Sequence, residues 1–265
     1  TGNAAGSIAD NGTITVSNLL PGIYSSTETA VANWDLTGIS CNDDNSTGDV
    51  NNATANFVLE AGENVICTFT NTQRATIVLV KDLPNDNGGT AVINDFQAYL
   101  DGSPVGWGAG SIVLPGVQYT ASEDTLTGYA PSGWSGNCAA DGTVTPEPGQ
   151  AVLCSITNDD IAPKLTLIKL VDNRDGGNAQ PDDFLLTVGG NPALSGVSSE
   201  YQANVALAIN ETLLTGYNFV SITGDDKCPA VLGDTITLAP GDDITCTITN
   251  DDIAPQLTLV KVVDN

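Results

Sequence analysis

The sequence contains no histidine and no methionine, and only 7 of its 265 residues are Lys or Arg. Against these stand 32 Asp and Glu residues, which give a formal net charge of −25. Nucleic acids and anionic membrane surfaces are bound by clustered cations, so neither is expected as a partner. No apolar run approaches the roughly 20 residues of a membrane span. Because no methionine stands at position 1, we expect a chain that was processed or cut from a longer one.

Several signatures of catalysis are also absent. There is no nucleophile elbow, no phosphate-binding glycine loop and no Cys/His spacing typical of zinc sites. Paired carboxylates are frequent, but they lie in segments that read as turns, and glycosidase-type pairs need a cleft to be recognised. We therefore expect no enzyme acting on external substrates and no cofactor.

The residues that are abundant indicate an all-β protein. Short runs that alternate between apolar and polar residues are separated by Gly, Pro, Asn and Asp, which is typical of strands joined by turns. The six cysteines predict disulfides and an oxidising, extracellular compartment.

The sequence repeats itself, and the repeats predict tandem Ig-like β-sandwich domains in a linear array. The heptapeptide TNDDIAP occurs twice, at 157–163 and 249–255, and each copy leads into an L-x-L-x-K strand. The predicted segments are a domain lacking its first strand (1–75), two full domains (76–162 and 163–254) and a terminal strand (255–265).

Each predicted domain holds one early and one late cysteine. Closure within a domain is the simplest of the 15 connectivities that six cysteines allow. It predicts the bridges Cys41–Cys67, Cys138–Cys154 and Cys228–Cys246.

Strand alternation places a lysine, a glutamate and an asparagine on the apolar side of the sheets. The full domains supply Lys81, Glu123 and Asn158, and then Lys169, Glu211 and Asn250. The first domain supplies only Glu28 and Asn71, whereas the tail supplies only Lys261.

Two interpretations of these residues are open. A buried charge costs several kcal/mol unless it is paired, so the simpler one is a hydrogen-bonded Lys–Glu pair with Asn beside it. The other is a Lys–Asn isopeptide bond. Burial lowers the pKa of a lysine and raises that of a glutamate. A neutral amine can then attack the Asn carbonyl while the protonated acid polarises it, and ammonia leaves.

The order L-x-L-x-K, then Y-x-x-x-E with G-Y soon after, then a late strand ending in Asn, resembles the Cna B-type, or SpaA-like, prealbumin-fold repeats of bacterial surface proteins and pili. The resemblance spans nearly the whole chain in three copies. It implies β-sandwich stalk or shaft domains with an internal Lys–Asn bond activated by an acid. Those roles fall on Lys81, Glu123 and Asn158 and on the matching residues of the third domain. The cysteine pairs depart from the family pattern, and a disulfide could do the same mechanical job.

The unequal copies suggest self-assembly. Leu257, Leu259 and Lys261 share one face of the predicted terminal strand, which could supply the edge missing from the first domain of another subunit. Such head-to-tail contacts build open filaments, and Lys261 could seal the joint to Asn71 with Glu28 as the acid. The alternative is a stalk segment cut from a longer tandem-repeat adhesin. If residues 257–261 dangle in solvent or fold back on their own molecule, the filament hypothesis fails and the tandem stalk remains.

Acidic pairs mark the domain junctions. The N-D-D-x-A-P junction resembles the calcium-binding linker of cadherins, and clustered carboxylates would suit Ca²⁺. The weak candidate ligands are Asp159, Asp160, Asp251 and Asp252. The alternative is that they are solvated turns that keep strand edges soluble.

Overall fold

The computed structural model of the chain describes residues 5–264. In this part of the chain, regular structure consists of 22 β-strands and two three-residue 3₁₀ turns, Ile93–Asp95 and Pro181–Asp183. No helix among the described residues is long and apolar enough to cross a membrane. The predicted fold class, tandem all-β sandwich domains, is confirmed.

The N-terminal repeat contains two small sheets. One has the strand order β1-β4-β3 and the other pairs β2 with β5. The strands are β1 (Gly22–Thr27), β2 (Trp34–Cys41), β3 (Thr47–Asp49), β4 (Thr54–Leu59) and β5 (Cys67–Gln73).

The second repeat adds nine strands in two sheets. The orders are β13-β10-β7-β8 and β11-β14-β6-β9, with β12 also pairing β14. The strands are β6 (Ala75–Asp82), β7 (Ala98–Leu100), β8 (Ser103–Val105), β9 (Gly110–Val113), β10 (Tyr119–Glu123), β11 (Tyr129–Pro131), β12 (Ser135–Gly136), β13 (Thr143–Val144) and β14 (Ala151–Asp160).

The third repeat has the same topology with eight strands. Its sheets have the orders β18-β15-β22-β20 and β17-β16-β19-β21. The strands are β15 (Lys164–Asp172), β16 (Leu186–Val188), β17 (Asn191–Ala193), β18 (Ser198–Glu200), β19 (Ala206–Glu211), β20 (Tyr217–Gly224), β21 (Thr235–Thr237) and β22 (Asp243–Asp252).

Strand alternation explains which residues form the core of the third repeat. In β15, Leu165, Leu167 and Lys169 are buried while their neighbours are at least partly exposed. The strand runs parallel to β22, and Leu167 stands opposite Cys246 in the register. Apolar residues of both sheets meet between them, including Ile209, Ile236 and Ile248. The core therefore lies between the sheets, and Lys169 lies at its edge.

The N-terminal repeat is much less buried. Among residues 5–74, only Ser46 and Ala55 are buried. Its strands correspond to β19–β22, with β3 added. Residues 5–21 form no strand, so equivalents of β15–β18 are missing from the described part of this repeat. This repeat therefore lacks more of the fold than its first strand.

The chain divides into two compact units. The first comprises Thr1–Val78, Gly110–Tyr119 and Val144–Leu153, and the second comprises Leu79–Ala109, Thr120–Thr143 and Cys154–Asn265. The division runs through the second repeat, so the boundaries inferred from the repeats remain a prediction.

The predicted terminal strand is not formed over residues 257–264, and Asn265 lies outside the described residues. Residues 253–264 belong to no strand and are exposed, with Leu257 87% and Leu259 88% accessible. A strand needs a neighbour for its backbone hydrogen bonds, and this segment has none within its own chain. The strand prediction from the alternation of apolar residues is therefore wrong for this chain by itself.

Candidate cross-linking site

The third repeat brings together Lys169, Glu211 and Asn250. Lys169 comes from β15, Glu211 from the end of β19 and Asn250 from β22. The Lys169 Nζ donates to Glu211 Oε2 at 2.7 Å and to Asn250 Oδ1 at 2.6 Å. Asn250 Nδ2 donates to Glu211 Oε1 at 2.7 Å. The three side chains thus form a closed hydrogen-bonded ring, and each residue is at most 8% exposed.

Backbone geometry fixes the meeting of these side chains. Lys169 stands opposite Ile248 in the parallel register of β15 and β22, so Asn250 lies two residues further along on the same face. Glu211 reaches them from the facing sheet. The site is therefore a tie between the first and last strands of the repeat.

The surroundings favour a neutral amine. Burial lowers the pKa of Lys169, and the hydrogen bond and charge of Glu211 oppose this shift only in part. The Lys169 Nζ lies 4.2 Å from the ring centroid of Phe184, so the aromatic face covers it and excludes water. The Lys169 Nζ lies 2.6 Å from Asn250 Oδ1, so a deprotonated amine in this environment would stand next to the carbonyl carbon that it could attack.

The chemistry that this arrangement allows is amide exchange. The Lys169 Nζ would attack Asn250 Cγ, and a proton would pass through Glu211 to the departing amide nitrogen. One C–N bond forms, one breaks, and ammonia leaves. No oxidant or external cofactor is required.

The second repeat assembles only part of the same site. Lys81 forms an ion pair with Glu123, with both side chains almost fully buried. Asn158 is also buried, but its Oδ1 and Glu123 Oε1 have no hydrogen-bond partner. Burial lowers the pKa of Lys81, whose Nζ lies 4.1 Å from the centroid of Phe96. The lysine–glutamate pair is present, whereas the lysine–asparagine hydrogen bond seen in the third repeat is not.

The N-terminal repeat contains a half-site. Asn71 Nδ2 donates to Glu28 Oε1 at 2.7 Å, the same distance as the matching bond in the third repeat. Glu28 Oε2 is buried and has no partner, and its counterpart Glu211 Oε2 accepts the lysine. Residues 1–75 contain no lysine.

The tail supplies the lysine without the other two groups. Leu257, Leu259 and Lys261 all lie exposed. By the criterion stated from the sequence, a dangling segment rejects the filament. That criterion is too strict for a single chain, because the acceptor of a donor strand belongs to another subunit. The exposed tail fits both the filament and the longer tandem protein.

The three disulfides join the cysteines as the repeats predict. They are Cys41–Cys67, Cys138–Cys154 and Cys228–Cys246, and no cysteine is free. Each lies within one repeat, so each repeat carries its own disulfide restraint. The candidate isopeptide bonds within a repeat lie in the second and third repeats.

The acidic junction residues have a role that sequence reasoning missed. Asp160 is buried and accepts hydrogen bonds from the backbone N–H groups of Asn87 and Gly89. Asp252 does the same for Asp175 and Gly177 in the third repeat. The final aspartate of each N-D-D motif therefore clamps a glycine-rich loop. The recurring N-x-x-G-G at 85–89 and 173–177 is the signal that could have revealed this.

Of the two predicted calcium positions, only Asp159–Asp160 has a third carboxylate nearby among the described residues. Ligand oxygens of Asp86, Asp159 and Asp160 lie within 4.8 Å of one another. Asp86 was not among the predicted ligands. The equivalent position in the third repeat is Arg174, which pairs with Asp172 at 2.8 Å, and Asp251 and Asp252 form no such group. Oxygen donors of this kind suit Ca²⁺, although both Asp160 oxygens already accept backbone hydrogen bonds.

The fold and the site together define a protein built of disulfide-bonded β-sandwich repeats with a buried Lys–Glu–Asn arrangement. Two family models described as prealbumin-like fold domains, both of the SpaA type, match the chain, one over residues 1–73 and the other over 72–156 and 160–248. The chain therefore belongs to the SpaA-type prealbumin-like domain family, as the sequence resemblance indicated.

Solved structures give weaker likenesses. The Bacillus anthracis TIE protein matches with a TM-score of 0.37 and 13% identity over 78% of this chain and 40% of that one. The major pilin T-13 of Streptococcus pyogenes matches with a TM-score of 0.28 and 13% identity, over 69% and 98%. A B repeat of the Staphylococcus aureus collagen-binding surface protein Cna matches with a TM-score of 0.20 and 16% identity, over 69% of this chain and 100% of that one. No curated protein matches the chain.

Proposed function

We propose that this protein is a structural subunit of an extracellular bacterial filament, in which the repeats act as covalently locked shaft domains and not as enzymes. The observation that carries the proposal is the ring formed by Lys169, Glu211 and Asn250. Lys169 and Asn250 react with each other once, so the site keeps no free amine that could act on an external substrate. Membership in the SpaA-type family and the absence of free cysteines support a cell-surface, oxidising location.

The position of the ring suits a load-bearing role. The chain enters the third repeat at β15 and leaves it from β22, and these two strands pair over their length. A bond from Lys169 to Asn250 would carry tension directly between them and spare the strands between. The disulfide from Cys228 to Cys246 lies within the same stretch, so the Lys169–Asn250 bond would protect a much longer segment than the disulfide does.

Subunits join head to tail in this proposal. The tail repeats the L-x-L-x-K pattern of β15 and presents it unpaired, while the N-terminal repeat has no equivalent of β15 among its described residues. The terminal strand of one subunit would enter this repeat in the next. The second candidate function is a stalk segment of a long tandem-repeat adhesin, stiffened by Ca²⁺, and the cluster of Asp86, Asp159 and Asp160 favours it.

Intact mass spectrometry after reduction tests the cross-links. We expect a mass below the sequence value by one ammonia for the third repeat and by a second ammonia for the second repeat. Asn250→Ala should restore one ammonia, whereas Asn218→Ala on exposed β20 should not. An unshifted wild-type mass would reject the isopeptide bonds.

Electron microscopy tests the assembly. Chains deleted for residues 256–265 should stay monomeric while the full chain forms fibres. Fibres that persist after the deletion would rule out the terminal strand as the joint. A full chain that stays monomeric would favour the stalk.

A further inference from the structure

The N-terminal repeat has an open strand position beside β5. In the third repeat, β22 lies between β15 and β20, whereas its equivalent β5 pairs, among the described residues, only with β2. Cys67 corresponds to Cys246 and Asn71 to Asn250 by the shared disulfide and strand pattern. The free edge of β5 is thus the one that β15 would occupy.

The N-terminal repeat exposes apolar residues that an added strand could cover. Ile14 is 43% exposed, Ile23 78% and Ile66 53%. The segment containing Ile14 precedes the L-P-G of residues 20–22 as β9 precedes the L-P-G of residues 114–116, and β9 pairs with β6 in the second repeat. A strand inserted beside β5 would therefore gain a second neighbour and cover apolar surface.

The chemistry at the open position is also incomplete. Glu28 and Asn71 are hydrogen-bonded as in the third repeat, and the buried Glu28 Oε2 has no partner. In the third repeat the corresponding oxygen accepts the lysine amine. The missing group is thus a primary amine carried by a strand.

We propose that Glu28 and Asn71 form an acceptor site for the Lys261 amine of a second copy of this chain, which becomes joined to Asn71 by an intermolecular isopeptide bond. The Lys261 Nζ attacks Asn71 Cγ, Glu28 passes the proton to the leaving nitrogen, and ammonia is released. The inference deepens the proposed head-to-tail assembly and rests on it.

The register follows from the third repeat. Lys169 stands opposite Ile248 and Leu167 opposite Cys246. The incoming strand should therefore run parallel to β5 with Lys261 opposite Phe69 and Leu259 opposite Cys67. Leu257 and Leu259 then face the same side as Lys261 and fill the position of Leu165 and Leu167.

The test uses the full chain with Lys261→Arg, which cannot donate an amine, mixed with a synthetic peptide of residues 254–265. We expect an adduct whose mass is the sum of the two less one ammonia, with fragment ions that join Lys261 to Asn71. Glu28→Gln in the acceptor should slow its formation at least tenfold. Asn71→Ala should abolish it, whereas Asn56→Ala, at an exposed position of β4, should not.

Three outcomes would overturn the inference: no adduct, an adduct that survives Asn71→Ala, or one that forms equally well with a Lys261→Arg peptide. The same spectra report the internal bonds of the second and third repeats. If those bonds are present and the adduct is not, the acceptor site fails while the locked-shaft function stands. If neither is present, the proposed function fails as well.

Discussion

Replacing Asn250 by alanine should remove the covalent tie of the third repeat and weaken β22 by a calculable amount. Lys169 and Asn250 are 81 positions apart. For a loop of that length, the chain-entropy relation gives about 4.5 kcal/mol of stabilisation at 25 °C. The nested bridge from Cys228 to Cys246, 18 positions apart, shortens the effective loop and lowers this figure by only about 0.2 kcal/mol. The lost hydrogen bonds of the amide add about 1 kcal/mol each.

Hydrogen exchange followed peptide by peptide is the suitable assay, because the three tryptophans, Trp34, Trp107 and Trp134, all lie outside the third repeat. Exchange measures the free energy of local opening. We expect the opening free energy of β22 to fall by at least about 4 kcal/mol in Asn250→Ala, and by no more than about 0.5 kcal/mol in the exposed control Asn218→Ala. If the wild-type mass shows the bond and the variant loses less than about 2 kcal/mol, the loop-closure reasoning is wrong.

Three further predictions follow from the same region. In Asn250→Ala the Lys169 amine stays unreacted. Burial holds its folded pKa below the unfolded value of 10.5, so the unfolded chain binds more protons and stability should rise with pH up to about 10.5; urea titrations at several pH values that give a flat or falling trend would contradict this. Replacing Cys228 and Cys246 by alanine should cost about 3 kcal/mol in denaturant unfolding, and an unchanged midpoint would show that the bridge is redundant. Gly177→Ala should release the clamped loop, since a Cβ would stand 2.3 Å from a tyrosine hydroxyl; faster exchange in residues 173–178 is expected, and no change there would dismiss the clamp.

Calcium removal checks the remaining junction hypothesis. If the three-carboxylate cluster at Asp86, Asp159 and Asp160 binds Ca²⁺, EDTA should lower the Tm and an excess of Ca²⁺ should restore it. Asp86→Asn should abolish the Ca²⁺ response, while Asp251→Asn, outside the cluster, should leave it intact. A Tm that EDTA does not move would dismiss the site.

Local alternation in the sequence was enough to determine the inward-facing residues of the opening strands β6 and β15. Because side chains alternate along a strand, L-x-L-x-K had to place its lysine on the apolar face. Repetition then paired the cysteines, since three copies of one pattern leave little choice of partners. These are short-range or repeated signals, and they needed no knowledge of how strands are arranged in space.

Tertiary structure decided which of the predicted groups meet. The lysine, glutamate and asparagine of the third repeat come from β15, β19 and β22, far apart in the chain, and only the packing of two sheets closes them into a ring. The same sequence pattern left Asn158 Oδ1 unpartnered in the second repeat, because hydrogen bonding depends on side-chain rotamers that alternation does not specify. The exposed tail has the same cause: a strand sequence becomes a strand only where a neighbouring edge accepts its backbone hydrogen bonds.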